Sequence, residues 1–515
     1  MKLNYLAIAL LSCWGCLRWT GEAIAWEKPA QGLWGNPSCA VSRAEILQKH
    51  ELRKAAFNSQ STAQAQTQYQ AILQKHRQTL QSCRDRLTPQ TQATWLRLYA
   101  HDAQDGILED VFDRIANRGY NQVFIETLYD GRILLPVADN PTPWRSVMAE
   151  AVAAGQVPAD YDLLQRAIAL GQERGIKVYS WVFAMNFGYG YSEVRGKAST
   201  FALNGNGDNS IANTNFNRQQ VANGRAFYED AYEVDNLFID PFNAIARKDL
   251  INAIQAISQR QPDGMVFDYI RYPNNANGSP IDNVKQLWIY GQSSRSALLN
   301  SIGDRYMREL MTIYLQNGEV TRADITNIEQ KLANTLNVQP SSSRNPNQDL
   351  AIAQRFLWQI ATNHAYRGVL EFITVVTAPL QQNNIPIGTV FFPGGNRTSQ
   401  GKVNPKMQPW DRFPAHMERH PMTYAICNDG SCVAQEVSEV VRQSPTQTRI
   451  CPVLAGTWGQ SFNGHASLEV QTQAIQKTNP QINCISHFVY SWMEPDSDRL
   501  RKAGTATGQE PITTP

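Results

Sequence analysis

From about residue 94 to residue 492 the chain alternates apolar runs of strand length with amphipathic stretches of helix length, and this constrains the fold more than any other feature. Two parallel strands can be joined only by a long crossover, usually a helix, so strict alternation implies a parallel sheet covered by helices. The strand candidates are 94–100, 121–131, 177–186, "GMVFDYIRYP" (264–273), 385–395, 422–427, 450–459 and 484–492. Helices such as "DGILEDVFDRIANRG" and "PADYDLLQRAIALGQERG" lie between them, the second closed by Gly175. Eight units favour a closed α/β barrel, the (β/α)8 TIM barrel, over an open doubly wound sheet. No G-x-G-x-x-G follows the first strand, which removes the main support for a dinucleotide fold.

The flanks differ in texture. Residues 1–25 combine a basic Lys2, an apolar stretch from Leu3 to Leu17 and small residues at Ala23 and Ala25, the pattern of a cleaved export signal. The stretch is too short and interrupted to span a bilayer, and no later segment reaches the ~20 apolar residues required. The expected location is therefore periplasmic or extracellular, with a lipid anchor at Cys13 as the minor alternative. Residues 26–93 read as a helical N-terminal cap of two helices broken near "NSQST". The barrel is expected over 94–500, with an insertion at about 281–350 after strand four that contains the helical "RADITNIEQKLANTL". The tail 501–515 reads as disordered.

Loss of the signal removes Cys13 and Cys16 and leaves Cys39, Cys83, Cys427, Cys432, Cys451 and Cys484. An exported chain can oxidise these. Proximity suggests Cys39–Cys83 and Cys427–Cys432, which leaves Cys451 with Cys484, although six cysteines allow fifteen pairings. A formal net charge of +2 gives no reason to expect nucleic acid as a partner.

In a barrel of this kind the C-terminal strand ends form the site. Asp268 ends an apolar strand and is followed at once by Tyr269, Arg271 and Tyr272. A lone carboxylate there is either a paired structural residue or part of a site, because burying it without a partner is costly. Glu126, Asn186 and Glu494 fall at other predicted strand ends, Asp411 precedes strand six, and Trp181, Trp410, Trp458 and Trp492 cluster in the same places. Paired carboxylates with aromatic surfaces suit glycoside hydrolysis: one acid attacks or activates water, another protonates the leaving oxygen, and rings stack on sugars. His416 and His420 in "HMERH" stand one helical turn apart, but Pro414 and Pro421 limit a helix there and no H-E-x-x-H pattern exists. No metal site and no cofactor is expected.

"DGMVFDYIRYP" resembles the "DGIHFDDYFYP" or "DYIRYP" signature of glycoside hydrolase-like family ten. "NQVFIETLYDG", "ERGIKVYSWVFAMN", "FIDPFNAIARKDLINAI", "MQPWDRF" and "HFVYSWMEP" are similar to further segments of that family, over about residues 94–495. The resemblance implies a barrel related to the alpha-amylases, with Asp268 as the catalytic carboxylate and Tyr269, Arg271 and Tyr272 as its setting. Two departures matter: the family usually has Gln where Glu126 stands, which argues against Glu126 as an obligatory acid and leaves it as a substrate-binding candidate, and the strand-five end "VFFPGG" offers no acid. The proton donor therefore does not carry over, and Glu494 and then Asp411 are its candidates. The expected activity is hydrolysis of an envelope polysaccharide, with peptide-free peptidoglycan strands as the first candidate. A non-catalytic glycan-binding barrel and a metal-dependent deacetylase are the alternatives.

Overall fold

The computed structural model describes residues 39–58, 61–211, 236–274, 279–336, 346–399 and 401–504. The signal-sequence reading, Cys13 and nearly all of the tail reading lie outside these residues. Eight parallel strands close into a barrel: β1 (Thr91–Leu96), β2 (Gln122–Tyr129), β3 (Lys177–Phe183), β4 (Gly264–Asp268), β5 (Ile387–Phe391), β6 (Glu418–Thr423), β7 (Val453–Ala455) and β8 (Cys484–Phe488). Closure rests on β1, which pairs with β8 from Thr91 opposite Cys484 and with β2 from Ala93 opposite Gln122. The (β/α)8 architecture expected from the alternation is the observed one.

Side chains alternate in and out along each strand. Inside, Trp95 stacks on Phe124 at 4.2 Å and meets Trp181 edge to face at 4.9 Å, and its indole donates to Ser486 Oγ at 3.2 Å. Tyr179 and His420 meet Phe124 edge to face, and small residues make room for them. A Cβ on Gly264 would lie 2.4 Å from the Tyr179 ring, and one on Gly388 would lie 2.6 Å from His420 Nε2. The barrel is a packed core whose open end carries the site.

Several boundaries differ from expectation for identifiable reasons. β1 ends at Leu96 because Tyr99 N donates to Asp102 Oδ2 at 2.8 Å and starts the 3-10 turn Ala100–Ala103. β6 starts at Glu418, earlier than its apolar run, because the barrel lumen holds polar residues: Glu418 accepts from Arg449 at 2.8 Å and stands 3.4 Å from His420. β8 ends at Phe488, and the chain then makes a helical turn at Tyr490–Met493.

Outside the strands run α1 (Arg43–Phe57), α2 (Ala63–Arg84), α3 (Ile107–Asn117), α4 (Leu163–Arg174) and α5 (Ala244–Ser258). They are followed by α6 (Gln292–Ser301), α7 (Arg305–Asn317), α8 (Arg322–Leu336), α9 (Pro346–Gln382), α10 (Ser431–Gln443), α11 (Leu468–Thr478) and α12 (Pro495–Ala503). α8 is the expected "RADITNIEQKLANTL" helix, and α9 lies along α5. The three suggested disulfides, Cys39–Cys83, Cys427–Cys432 and Cys451–Cys484, are all formed.

Asp113 on α3 joins α1 and α2 to the barrel. It accepts from Arg53 Nη1 at 2.9 Å, Tyr69 Oη at 2.8 Å and Arg174 Nε at 2.9 Å, and Lys49 Nζ stands 3.8 Å away. Burial alone would raise its pKa, but Lys49, Arg174 and Arg53 together hold it below the ordinary carboxylate range. Removing one partner of a buried ion network leaves the others uncompensated, at a cost of about 3–5 kcal/mol. Asp113→Ala is expected to lower unfolding free energy by that amount in urea titrations at neutral pH. A loss below about 1 kcal/mol would show that the network does not hold the helices down.

Candidate active site

Each group at the barrel's C-terminal mouth follows from the alternation below it. Arg97 stands two residues beyond the inward Trp95, Glu126 two beyond Phe124, and Asp268 two beyond Val266, which packs under Gly388 in the lumen. Glu126 pairs in register with Trp181 and Trp181 with Val266, so Asp268, opposite Phe183, lies just above the Glu126 layer.

Asp268 is nearly buried, and its Oδ1 accepts from Tyr269 N at 2.6 Å. To make that turn Tyr269 takes a left-handed conformation with φ of 52°, which is uncommon for a bulky residue. The surroundings hold it there. Its ring packs on Phe183 at 4.5 Å and lies under the Arg271 guanidinium at 4.8 Å, while Met185 N donates to its carbonyl at 3.2 Å. Arg271 also faces the Phe238 and Phe392 rings and donates to Tyr272 O at 3.1 Å.

Glu126 is buried and forms a two-point ion pair with Arg97, whose Nη2 reaches Glu126 Oε1 at 3.0 Å and Asp130 Oδ2 at 3.1 Å. The Arg97 guanidinium lies over the Tyr129 ring at 4.5 Å. Burial pushes Glu126 up to about 7; Arg97 opposes this, and the charges of Asp130 and Asp268 add to it. Burial and the Asp268 charge likewise hold the Tyr424 phenol well above its ordinary value. Two acids and a tyrosine thus share one electrostatic neighbourhood. Phe488 and Trp492, both half-buried, meet edge to face at 5.7 Å, and Phe488 also approaches Trp181 and Tyr424.

The rim on the β2–β3 side is locked by glycines. A Cβ on Gly188 would lie 1.9 Å from Gly131 N, and one on Gly131 would lie 2.6 Å from Gly190 N. Both Gly131 and Gly188 also have φ near 75°.

Other residues singled out from sequence stand elsewhere. Glu494 takes ion pairs from Arg114 at 3.1 Å and Arg118 at 2.9 Å, both on the outer α3 side. Asp411 accepts from Asn396 Nδ2 at 2.9 Å, beside Gln443 at the end of α10. Glu494 is thus taken up by arginines on the α3 side, and Asp411 by an amide in the turn after β5. Trp410 is fully buried, stacked on Phe391 at 4.7 Å. Trp458 donates to Tyr120 Oη at 2.9 Å and packs on the outward-facing His487. Asn186 Oδ1 accepts from Gly188 N and Leu237 N, both at 3.1 Å, and closes a loop. Tyr272 is buried with its hydroxyl 3.4 Å from Ala365 O on α9. His420 lies in β6, so His416 and His420 do not share a helix face. Among the described residues no three His, Cys, Asp or Glu side chains are grouped to hold a metal ion.

Sequence reasoning missed Arg97, Asp130 and Phe488. The first had a usable signal, since it stands two residues past an inward tryptophan at a strand end.

The fold and mouth define a parallel (β/α)8 barrel with two inward carboxylates at its C-terminal face. No protein-family model matches the chain, and no curated protein is similar to it at a significant level. Among solved structures it is similar to the PgaB (BpsB) glycoside hydrolase domain of Bordetella bronchiseptica, with TM-score 0.43 and 10% identity over 80% of this chain and 99% of that one. A GH18 chitinase from Pseudoalteromonas aurantia gives 0.34 and 9% over 80% and 99%. The beta-N-acetylhexosaminidase of Bacteroides fragilis gives 0.36 and 10% over 78% and 61%. These distant likenesses bring no residue role with them.

The two tryptophan environments are separable by experiment. Trp410→Ala is expected to cost about 3–5 kcal/mol of stability, as for a fully buried large side chain. Trp492→Ala is expected to cost about 1 kcal/mol, in proportion to its partial burial. Denaturant unfolding of the two variants measures both.

Proposed function

We propose that the chain is an exported glycoside hydrolase acting on a bacterial envelope polysaccharide, with peptide-free peptidoglycan strands as its first candidate substrate. The observation that carries this reading is the pair Asp268 and Glu126, turned into the mouth of one barrel beside the aromatic Phe183, Phe488 and Trp492. Glycoside hydrolysis needs two carboxyl groups in unlike environments. The likeness of "DGMVFDYIRYP" to the family-ten signature supports the same assignment of Asp268.

In this mechanism Asp268 meets the positive charge that develops at the anomeric carbon, as nucleophile or as counter-charge. Tyr269 N fixes the orientation of its carboxylate. The half-buried rings at the rim offer faces for sugars. Export is supported by residues 1–25 and by three disulfides, which persist in oxidising compartments. Among the described residues no helix is long and apolar enough to cross a membrane.

The end of β5 carries no acid, which favours a second reading: a barrel that binds glycan without cleaving it. One assay separates the two. Peptide-free glycan strands are incubated with the wild-type protein and with Asp268→Asn, and the products are weighed by mass spectrometry. Hydrolysis predicts shortened fragments from the wild type and a fall of roughly 10³-fold in the variant. Retention of strands by both proteins without new reducing ends would support the binding reading.

A further inference from the structure

Glu126 and Asp130 share the single guanidinium of Arg97, and Asp268 stands close enough to act on Glu126 through space. A guanidinium with two acceptors stays satisfied when one of them is neutral, because the other keeps its bond. Asp130 is about a third exposed whereas Glu126 is buried, so Glu126 is the member of the pair whose charged form burial penalises and which can carry a proton. The groups facing Glu126 are Arg97 from β1, Tyr129 and Asp130 from β2 and its turn, and Asp268 from β4.

We propose that Glu126 is the second catalytic carboxylate, the donor of the proton to the leaving oxygen, and that Arg97 is a positioning residue that governs it. This rests on the glycosidase reading above. The C1–O bond breaks with its electron pair on the leaving oxygen, which takes the proton of Glu126. Water then supplies a hydroxyl to C1, and its remaining proton returns Glu126 to the acid form. Arg97 stabilises the carboxylate left between these events.

Arg97 is itself held from outside the barrel. Arg501 on α12 donates to Arg97 O at 2.9 Å and grips Asp102 at 2.7 and 2.6 Å. Glu494 is instead taken up by Arg114 and Arg118 on the α3 side, and Asp411 accepts from Asn396 in the turn after β5.

The test uses the full chain, with peptide-free glycan strands as substrate. Glu126→Gln is expected to lower the rate by about 10²–10⁴-fold, the usual contribution of a general acid. The wild-type rate should fall as pH rises through about 7, where the acid form of Glu126 is lost. Arg97→Met removes the charge that favours the carboxylate, so this falling limb should move to higher pH; Arg97→Lys should return it toward the wild-type position.

A Glu126→Gln variant with the wild-type rate, or a limb that Arg97→Met leaves in place, overturns the inference. If Asp268→Asn is then still inactive, the glycosidase reading stands without it. A wild type that cleaves no strands removes that reading, and the inference with it. A titration of 13C-labelled glutamate carboxyls, assigned by difference with Glu126→Gln, needs no substrate. A Glu126 signal titrating below pH 5 overturns the inference directly, and one near neutrality that drops in Asp268→Asn supports it.

Discussion

Everything else in this molecule depends on the double pairing of β1. Hydrogen bonds to both β2 and β8 turn eight strands into a closed surface, and closure obliges every second side chain to share one lumen. The rings of Tyr179 and His420, packed with Trp95, Phe124 and Trp181, can occupy it because Gly264 and Gly388 face them. The same rule brings Arg97, Glu126 and Asp268, from three different strands, to the one open end. Packing and chemistry here are two readings of one alternation.

Much of this was legible beforehand because it depends on local periodicity. The alternation of runs specified the barrel, and Asp268 at the end of an apolar strand marked the mouth. Cysteine proximity suggested the pairs that form. What was illegible depends on partners far away in sequence. Glu494 and Asp411 look like free acids in the chain, and only the folded structure shows Arg114, Arg118 and Asn396 against them. β6 was misplaced because its first residues are polar, and a polar run reads as a loop unless the lumen is known to hold Glu418 and His420. Trp410 and Tyr272 read as aromatics of the mouth, but Trp410 is buried against Phe391 and Tyr272 against α9.

Two sets of charged residues contrast. On the outside, Asp113, Asp110 and Glu494 each meet more than one cation, so α1, α2, α3 and the chain after β8 are tied by over-compensated acids. In the mouth Arg97 answers to two acids. The first arrangement keeps carboxylates ionised and rigid. The second leaves the buried Glu126 in reach of a change of protonation state, which burial and the Asp268 charge favour.

The contact of Gly131 with Gly188 and Gly190 bears on how such a barrel can diversify. Because the two loops touch backbone to backbone, neither accepts a side chain at these positions unless the other retreats. A change at one of these positions therefore requires a change at the other. Variation that retunes what the mouth accepts therefore has its open ground across the rim, where Ile426 is exposed and Phe462 and Trp492 are half-buried. One side of the opening acts as a fixed jaw, and the opposite side is where selection has room to work.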